Sequence, residues 1–228
     1  GHSVIVKKIT LPAVPEDELE TQVKLAAEQY IPFDINEVNL DFHILNSNEQ
    51  ADDGEPQMSL LLVAAKKDKV AELTELVRSA GLTPMVIDVD AFAVENMYDV
   101  NYNLAPDEIT ALVNIGAQVV NINVVANGAP SFTRDITAAG NQYTEEIQKA
   151  LSIGFEEAER IKIGGRRGEQ SHEVVPREVE EAMRQVSETV IGEISRSLDF
   201  YGATTAEGRI GRVLLSGGSS KVAGLRNT

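Results

Sequence analysis

Hydrophobic and polar positions follow two rhythms along this chain, and the switches between them divide it into strands and helices. Val4 to Leu11 reads as a strand that Pro12 ends. Pro15 suits the first position of a helix, and the acidic residues after it suit the positive helix start. Leu19, Val23, Ala26 and Tyr30 recur at helical spacing until Pro32 stops the run. Val38, Leu40, Phe42 and Ile44 alternate with Asn39, Asp41 and His43, the pattern of a half-buried strand. Residues 46–57, with Asp53-Gly54 and Pro56, predict a loop or hairpin tip, and Met58 to Ala65 a fully buried strand. Val70, Leu73, Val77 and Ala80 form one helical face closed by Gly81. Together these elements predict a small α+β unit.

A second unit follows. Met85 to Val89 predicts a short apolar strand, and Ala91 to Tyr98 a helix. After a polar connection containing Pro106, Ala111 to Ile115 predicts a buried strand broken by Gly116. Val120, Ile122 and Val124 alternate with Asn121 and Asn123. Asn127-Gly128 is a strong two-residue hairpin signal before the strand Ser131 to Ile136. Helices are expected near 141–152 and 155–163, then a Gly-rich polar loop over 164–172. Val179, Met183, Val186, Val190, Ile194, Leu198 and Tyr201 mark a long amphipathic helix with Pro176 near its start. Val213 to Leu215 predicts a last strand, feeding Ser216-Gly217-Gly218-Ser219-Ser220 and a further helix.

Composition narrows the classes of function. The 228 residues carry 20 basic and 36 acidic side chains, a formal charge of −16, which repels phosphate backbones and anionic bilayers. General nucleic-acid binding and direct membrane docking are therefore not expected; Gly165-Arg166-Arg167-Gly168 reads as a polar loop. Without cysteine there is no disulfide frame and no thiolate site. The longest purely apolar run, Leu60 to Ala65, is too short to span a bilayer, and no signal peptide is visible, so a cytoplasmic protein is expected. His43 and His172 lack companions at metal-ligand spacing, and no metal site is expected. Gly1-His2-Ser3 reads as a tag remnant and both ends as cuts, so an excerpt of a longer protein is expected.

Two glycine turns carry candidate chemistry. Asn114-Ile115-Gly116-Ala117-Gln118 lies between strands, where consecutive N–H groups can converge on a phosphate, although such a step is most often a plain hairpin. Leu214 to Ser220 passes from a strand through a glycine pair, an arrangement that can present free N–H donors but matches neither the P-loop nor the dinucleotide fingerprint. Glu159 and Lys162, one turn apart, read by themselves as a solvated helical ion pair. Asp88 and Asp90 share one face, and Asp90 reads as the cap of the helix at Ala91.

In order, these elements resemble the second half of the actin/Hsp70/FtsA fold, an α/β ribonuclease H-like ATPase architecture. The stretch Ala27 to Val38, with Leu40-Asp41-Phe42, Val63-Ala64-Ala65, Gly81-Leu82, Asp88 to Ala93 and Leu214 to Gly218, is similar to the PilM family of type IV pilus assembly proteins from Val4 onward. The resemblance implies an FtsA/PilM-type insert over 4–82, a remnant of the first actin-like subdomain over 83–105, and the second actin-like domain over 106–228, its outer part reduced to about 164–208. It implies ATP with Mg²⁺ in the intact protein. Asn114, Gly116, Ala117 and Gln118 would stand at the second phosphate loop, and Gly217, Gly218 and Ser219 at adenosine. Glu159 and Lys162 would approach ribose and adenine, and Lys221 would stack on the base.

The chain departs from that pattern at the phosphate loop. Asn114 stands where relatives carry an acid, and Ala117, Gln118 and Val119 replace a Gly-Gly-Thr grip. An amide brings no charge to Mg²⁺ and cannot act as a base, so binding with weak or no hydrolysis is expected. The first phosphate hairpin would precede Val4, and weak ATP binding by the excerpt is expected. No catalytic residue is assigned. The resemblance further implies a scaffold at the cytoplasmic face of the inner membrane. It would bind the N-terminal cytoplasmic tail of PilN, and through it PilO and the pilus platform or motor. The alternatives are an ATPase that drives assembly and an FtsA-like division scaffold.

Overall fold

The computed structural model describes residues 3–50, 56–102, 105, 107–164 and 176–225. The turn at Asp53-Gly54, Pro106, nearly all of the 164–172 loop including Gly165–Gly168 and His172, and the last three residues lie outside the described residues. The chain divides into two compact units, Gly1–Val89 and Asp90–Thr228.

The first unit is a three-stranded antiparallel sheet crossed by a helix. Strands β1 (Val4–Pro12), β2 (Val38–Gln50) and β3 (Pro56–Lys66) stand in the order β1-β3-β2, so the most apolar strand is central. The register aligns Ile9 with Leu60 and Phe42 with Leu62. Helix α1 (Glu16–Tyr30) lays Leu19, Val23 and Ala27 on that face. Each fully buried Leu or Val there contributes about 1.5–3 kcal/mol. Tyr30, expected on the buried face, is exposed, because the stripe steps by four residues from Leu19 through Val23 to Ala27. A register shift after Ile44 breaks the alternation of β2 and leaves Ile44 exposed. Helix α2 (Lys67–Ser79) buries none of its residues. It ends as expected at Gly81, whose N–H reaches the Arg78 carbonyl at 2.9 Å while that of Leu82 reaches Val77 at 3.2 Å.

Residues 82–89 are irregular, which corrects the expected strand at Met85 to Val89. Its apolar side chains face solvent, Met85 and Val86 being 86% and 82% exposed. No strand among the described residues pairs with it, and an unpaired backbone has no ladder to hold it extended.

The second unit opens with α3 (Asp90–Tyr102), which takes Asp90 into its first turn instead of leaving it as the cap. Strands β4 (Thr110–Ile115), β5 (Val120–Ala126), β6 (Ala129–Ile136) and β7 (Arg212–Ser216) form a sheet in the order β6-β5-β4-β7. The Asn127-Gly128 hairpin has φ of 54° and 72°, the left-handed pair that such a turn requires. Strand β7 returns parallel to β4 after α4 (Gly140–Leu151), α5 (Phe155–Gly164) and α6 (Arg177–Thr204). One sheet face packs Leu112, Val125 and Leu214 against Tyr98 and Val94 of α3. The other packs Val113, Ile115, Val120, Ile122 and Val124 against Tyr143 of α4 and Val186, Val190 and Tyr201 of α6. The turn after β7 enters a 3-10 helix, Gly218–Lys221, where a longer helix was expected. No described helix is long and apolar enough to cross a membrane.

Candidate functional site

Because β4 and β7 run parallel and pair Asn114 with Ser216, both strands end at the same edge of the sheet, and each continues into a glycine turn. Ligands in open α/β sheets bind outside the carboxyl ends of parallel strands, which makes this edge the candidate site.

The two turns touch. Ser219 donates its hydroxyl to the Gly116 carbonyl at 3.0 Å, and the N–H of Gly140, at the start of α4, reaches the same oxygen at 3.0 Å. The Asn141 N–H reaches the Ala117 carbonyl at 2.7 Å, and Gly116 closes its own turn by donating to Val119 at 3.0 Å. Asn114 accepts from the Ser216 hydroxyl at 3.2 Å.

These contacts give a packing role to Gly140 and to Gly217, the latter expected at adenosine. A Cβ on Gly140 would overlap the Ser219 hydroxyl, and one on Gly217 would overlap the Ile115 carbonyl and lie 2.6 Å from Asn114 Oδ1. Gly217 also holds φ at 86°, where side chains are strained. Both glycines let three backbones pack onto one another. Gly218 differs: a Cβ there meets nothing within 4 Å.

Glu159 and Lys162 do not form the solvated pair that their spacing suggests. Lys162 is buried, its side chain 8% exposed, and lies 2.6 Å from Glu159. Its ammonium also donates to Thr144 Oγ1 at 2.9 Å and to the Gly140 carbonyl at 3.3 Å. Three N–H bonds thus meet three acceptors. The Thr144 hydroxyl donates to Glu159 at 2.5 Å. Burial works to lift the Glu159 carboxyl, but hydrogen bonds from Lys162 and Thr144 and the lysine charge outweigh it and hold the group below its ordinary value.

The fold therefore gathers Asn114, Gly116, Ala117, Gly217, Ser219, Glu159 and Lys162 into one connected network. Gln118 and Lys221 are exposed nearby in sequence but take no part in it, and Gly218 faces open space. Sequence reasoning missed Gly140, Thr144, Asn121, Asp135 and Ser216. The small run Ala138-Ala139-Gly140 ahead of a helix was a signal for the first of these; the others depend on register and helix packing.

A nucleotide fits this set in part. Open space over Gly218 and the exposed tip at Ala117-Gln118 suit a ligand, and Glu159 keeps one carboxylate oxygen outside its bonds to Lys162 and Thr144. A cation held by protein charge does not fit. Asn114 is neutral, and no three His, Cys, Asp or Glu side chains among the described residues converge to hold a metal.

A family model described as type IV pilus assembly protein PilM matches residues 1–228. Among solved structures the chain is similar to one described as the PilM-PilN type IV pilus biogenesis complex, with 31% identity and a TM-score of 0.80. That match covers 99% of this chain and 62% of the other, so the chain spans less than two thirds of that relative's length. More distant likenesses are to the ethanolamine utilization protein EutJ from Carboxydothermus hydrogenoformans (24% identity, TM-score 0.48, 67% of this chain and 49% of that one). Another is to MreB5 of Spiroplasma citri bound to ADP (15% identity, TM-score 0.48, 69% and 56%). Among the described residues the fold is mixed α/β with two sheets, one of three strands and one of four.

Proposed function

Because the chain belongs to the family of type IV pilus assembly protein PilM, we propose that it serves as a nucleotide-binding adaptor that captures the N-terminal cytoplasmic tail of PilN. The observation that carries this reading is the 31% identity, over 99% of the chain, to a protein solved in a complex with PilN. The insert unit supports it: among the described residues β1 and β2 each have one neighbouring strand, and such edges accept extended peptides. Through PilN the adaptor would sit at the inner membrane and reach PilO and the assembly platform or motor.

The nucleotide in this reading is ATP, with its phosphates at the Ala117-Gln118 turn, its adenosine over Gly217-Gly218 and Lys221, and its ribose toward Glu159. Lys162 holds Glu159 and Gly140 in place from behind. Bound ATP would supply ligand charge and rigidity to the edge where β4 and β7 end; the chain's own part is to bind and orient it. The neutral amide at Asn114 favours binding over turnover, and a steady-state phosphate-release assay is expected to show little hydrolysis. The decisive experiment titrates a labelled PilN tail peptide into the protein with and without ATP. Saturable binding is expected, and a shift with ATP would measure coupling between the two ligands. Absence of binding in both conditions would end the adaptor reading.

A further inference from the structure

At the edge where β4 enters the Gly116 turn, one side chain from each of the four strands joins a directional chain of hydrogen bonds. Asp135 on β6 accepts from the Asn121 amide at 2.6 Å. Asn121 Oδ1 accepts from the Asn114 amide at 3.4 Å, and Asn114 Oδ1 accepts from Ser216 at 3.2 Å. The strand register builds this line, since Asn121 stands opposite both Asp135 and Asn114, and Asn114 opposite Ser216.

An ionised carboxylate only accepts, so the direction is dictated from the β6 end. Asn121 must turn its NH₂ toward Asp135, which leaves its carbonyl oxygen for residue 114. Residue 114 must then donate on that side and can accept only on the side of β7 and Gly217. Asparagine satisfies both demands. A carboxylate at 114 would set an acceptor against Asn121 Oδ1, and flipping Asn121 to relieve it would turn a carbonyl toward Asp135. Positions 114 and 135 flank Asn121 on opposite neighbouring strands, so when its NH₂ turns to one of them its carbonyl oxygen faces the other.

Resting on the nucleotide-site reading above, we propose that Asp135 and Asn121 are positioning residues that commit position 114 to a neutral amide, so that nucleotide phosphates are held here without a protein carboxylate on their cation. Asp135 acts two strands away from the turn, through Asn121. The amide at 114 is then one part of a hydrogen-bonded set that spans four strands.

The test uses Asn114→Asp, Asp135→Asn and the double variant in the full chain. Urea unfolding is measured for each, and ATP affinity is measured with Mg²⁺ and with a chelator. Asn114→Asp alone is expected to lower the folding equilibrium constant about tenfold, and Asp135→Asn is expected to restore most of that loss, as contacting residues couple. The double variant is expected to bind ATP with a stronger Mg²⁺ dependence than the wild-type chain. Purely additive unfolding effects would overturn the proposal. So would coupling in a chain that binds ATP but gains no Mg²⁺ dependence in the double variant. Coupling in a wild-type chain that binds no ATP would support the restraint on position 114 and refute the nucleotide reading.

Discussion

The Lys162 ammonium donates to the Gly140 carbonyl at 3.3 Å, and the Gly140 N–H donates to the Gly116 carbonyl at 3.0 Å. One glycine residue, through its N–H and its C=O, thus links a buried lysine on α5 to the turn after β4. The same Gly116 oxygen takes the Ser219 hydroxyl, so the turn after β7 is tied into the line as well.

Lys162→Met should therefore cost more than a surface ion pair. Its side chain is 8% exposed and that of Glu159 31%. Removing the lysine leaves a partly buried carboxylate without its cation and a carbonyl without its donor, a loss of about 2–4 kcal/mol. Urea unfolding measures it, and adding Glu159→Gln should recover part. A loss within the range of exposed pairs would show that the network contributes little.

Glu159 also sets a pH dependence. Its folded carboxyl lies below the ordinary 4.5, so its contribution is complete above the unfolded value and is lost as pH falls through the folded one. Unfolding measured from neutral pH down into the acid range should show a steeper decline for the wild-type chain than for Glu159→Gln, so that the wild-type advantage shrinks as pH drops below 4.5. Parallel curves would contradict this.

Gly217 and Gly218 should separate sharply. Gly217→Ala brings a Cβ into the Ile115 carbonyl at a φ of 86° and should destabilise the fold by about 2–4 kcal/mol. Gly218→Ala meets nothing within 4 Å and should leave stability within about 0.5 kcal/mol. Under the proposed function Gly218→Ala should nonetheless weaken ATP binding, read by calorimetry. Equal effects of the two on the melting temperature would contradict the geometry.

The segment with Leu82, Met85 and Val86, 65%, 86% and 82% exposed, presents an apolar surface. The chain is expected to self-associate at high concentration, and Met85→Lys with Val86→Glu should reduce this with little change in unfolding. Light scattering on both proteins checks it. A clean monomer in the wild-type chain would count against it.

Much was legible in the sequence because it was written in local periodicity. The alternation of β5, the Asn127-Gly128 hairpin, the face of α6 through Val179, Val186, Val190 and Tyr201, and the Gly81 cap all follow from steric and burial preferences within a few residues. Where local pattern lacked a partner it misled: Met85 to Val89 has the composition of a strand but, among the described residues, no neighbour to ladder with.

What only the tertiary structure decided is how distant side chains are used. Glu159 and Lys162 read as a surface pair until α4 places Thr144 and Gly140 over them. Gly217 reads as freedom for a ligand until packing shows its open side filled by protein atoms, and the tight seat of Gly140 shows only once Ser219 is brought against it. Asn114, Asn121, Asp135 and Ser216 become one line only through a register that joins four strands. Periodicity tells each residue which way to face; the identity of its partner depends on which strands and helices are brought beside it, and that is settled by the whole chain folding at once.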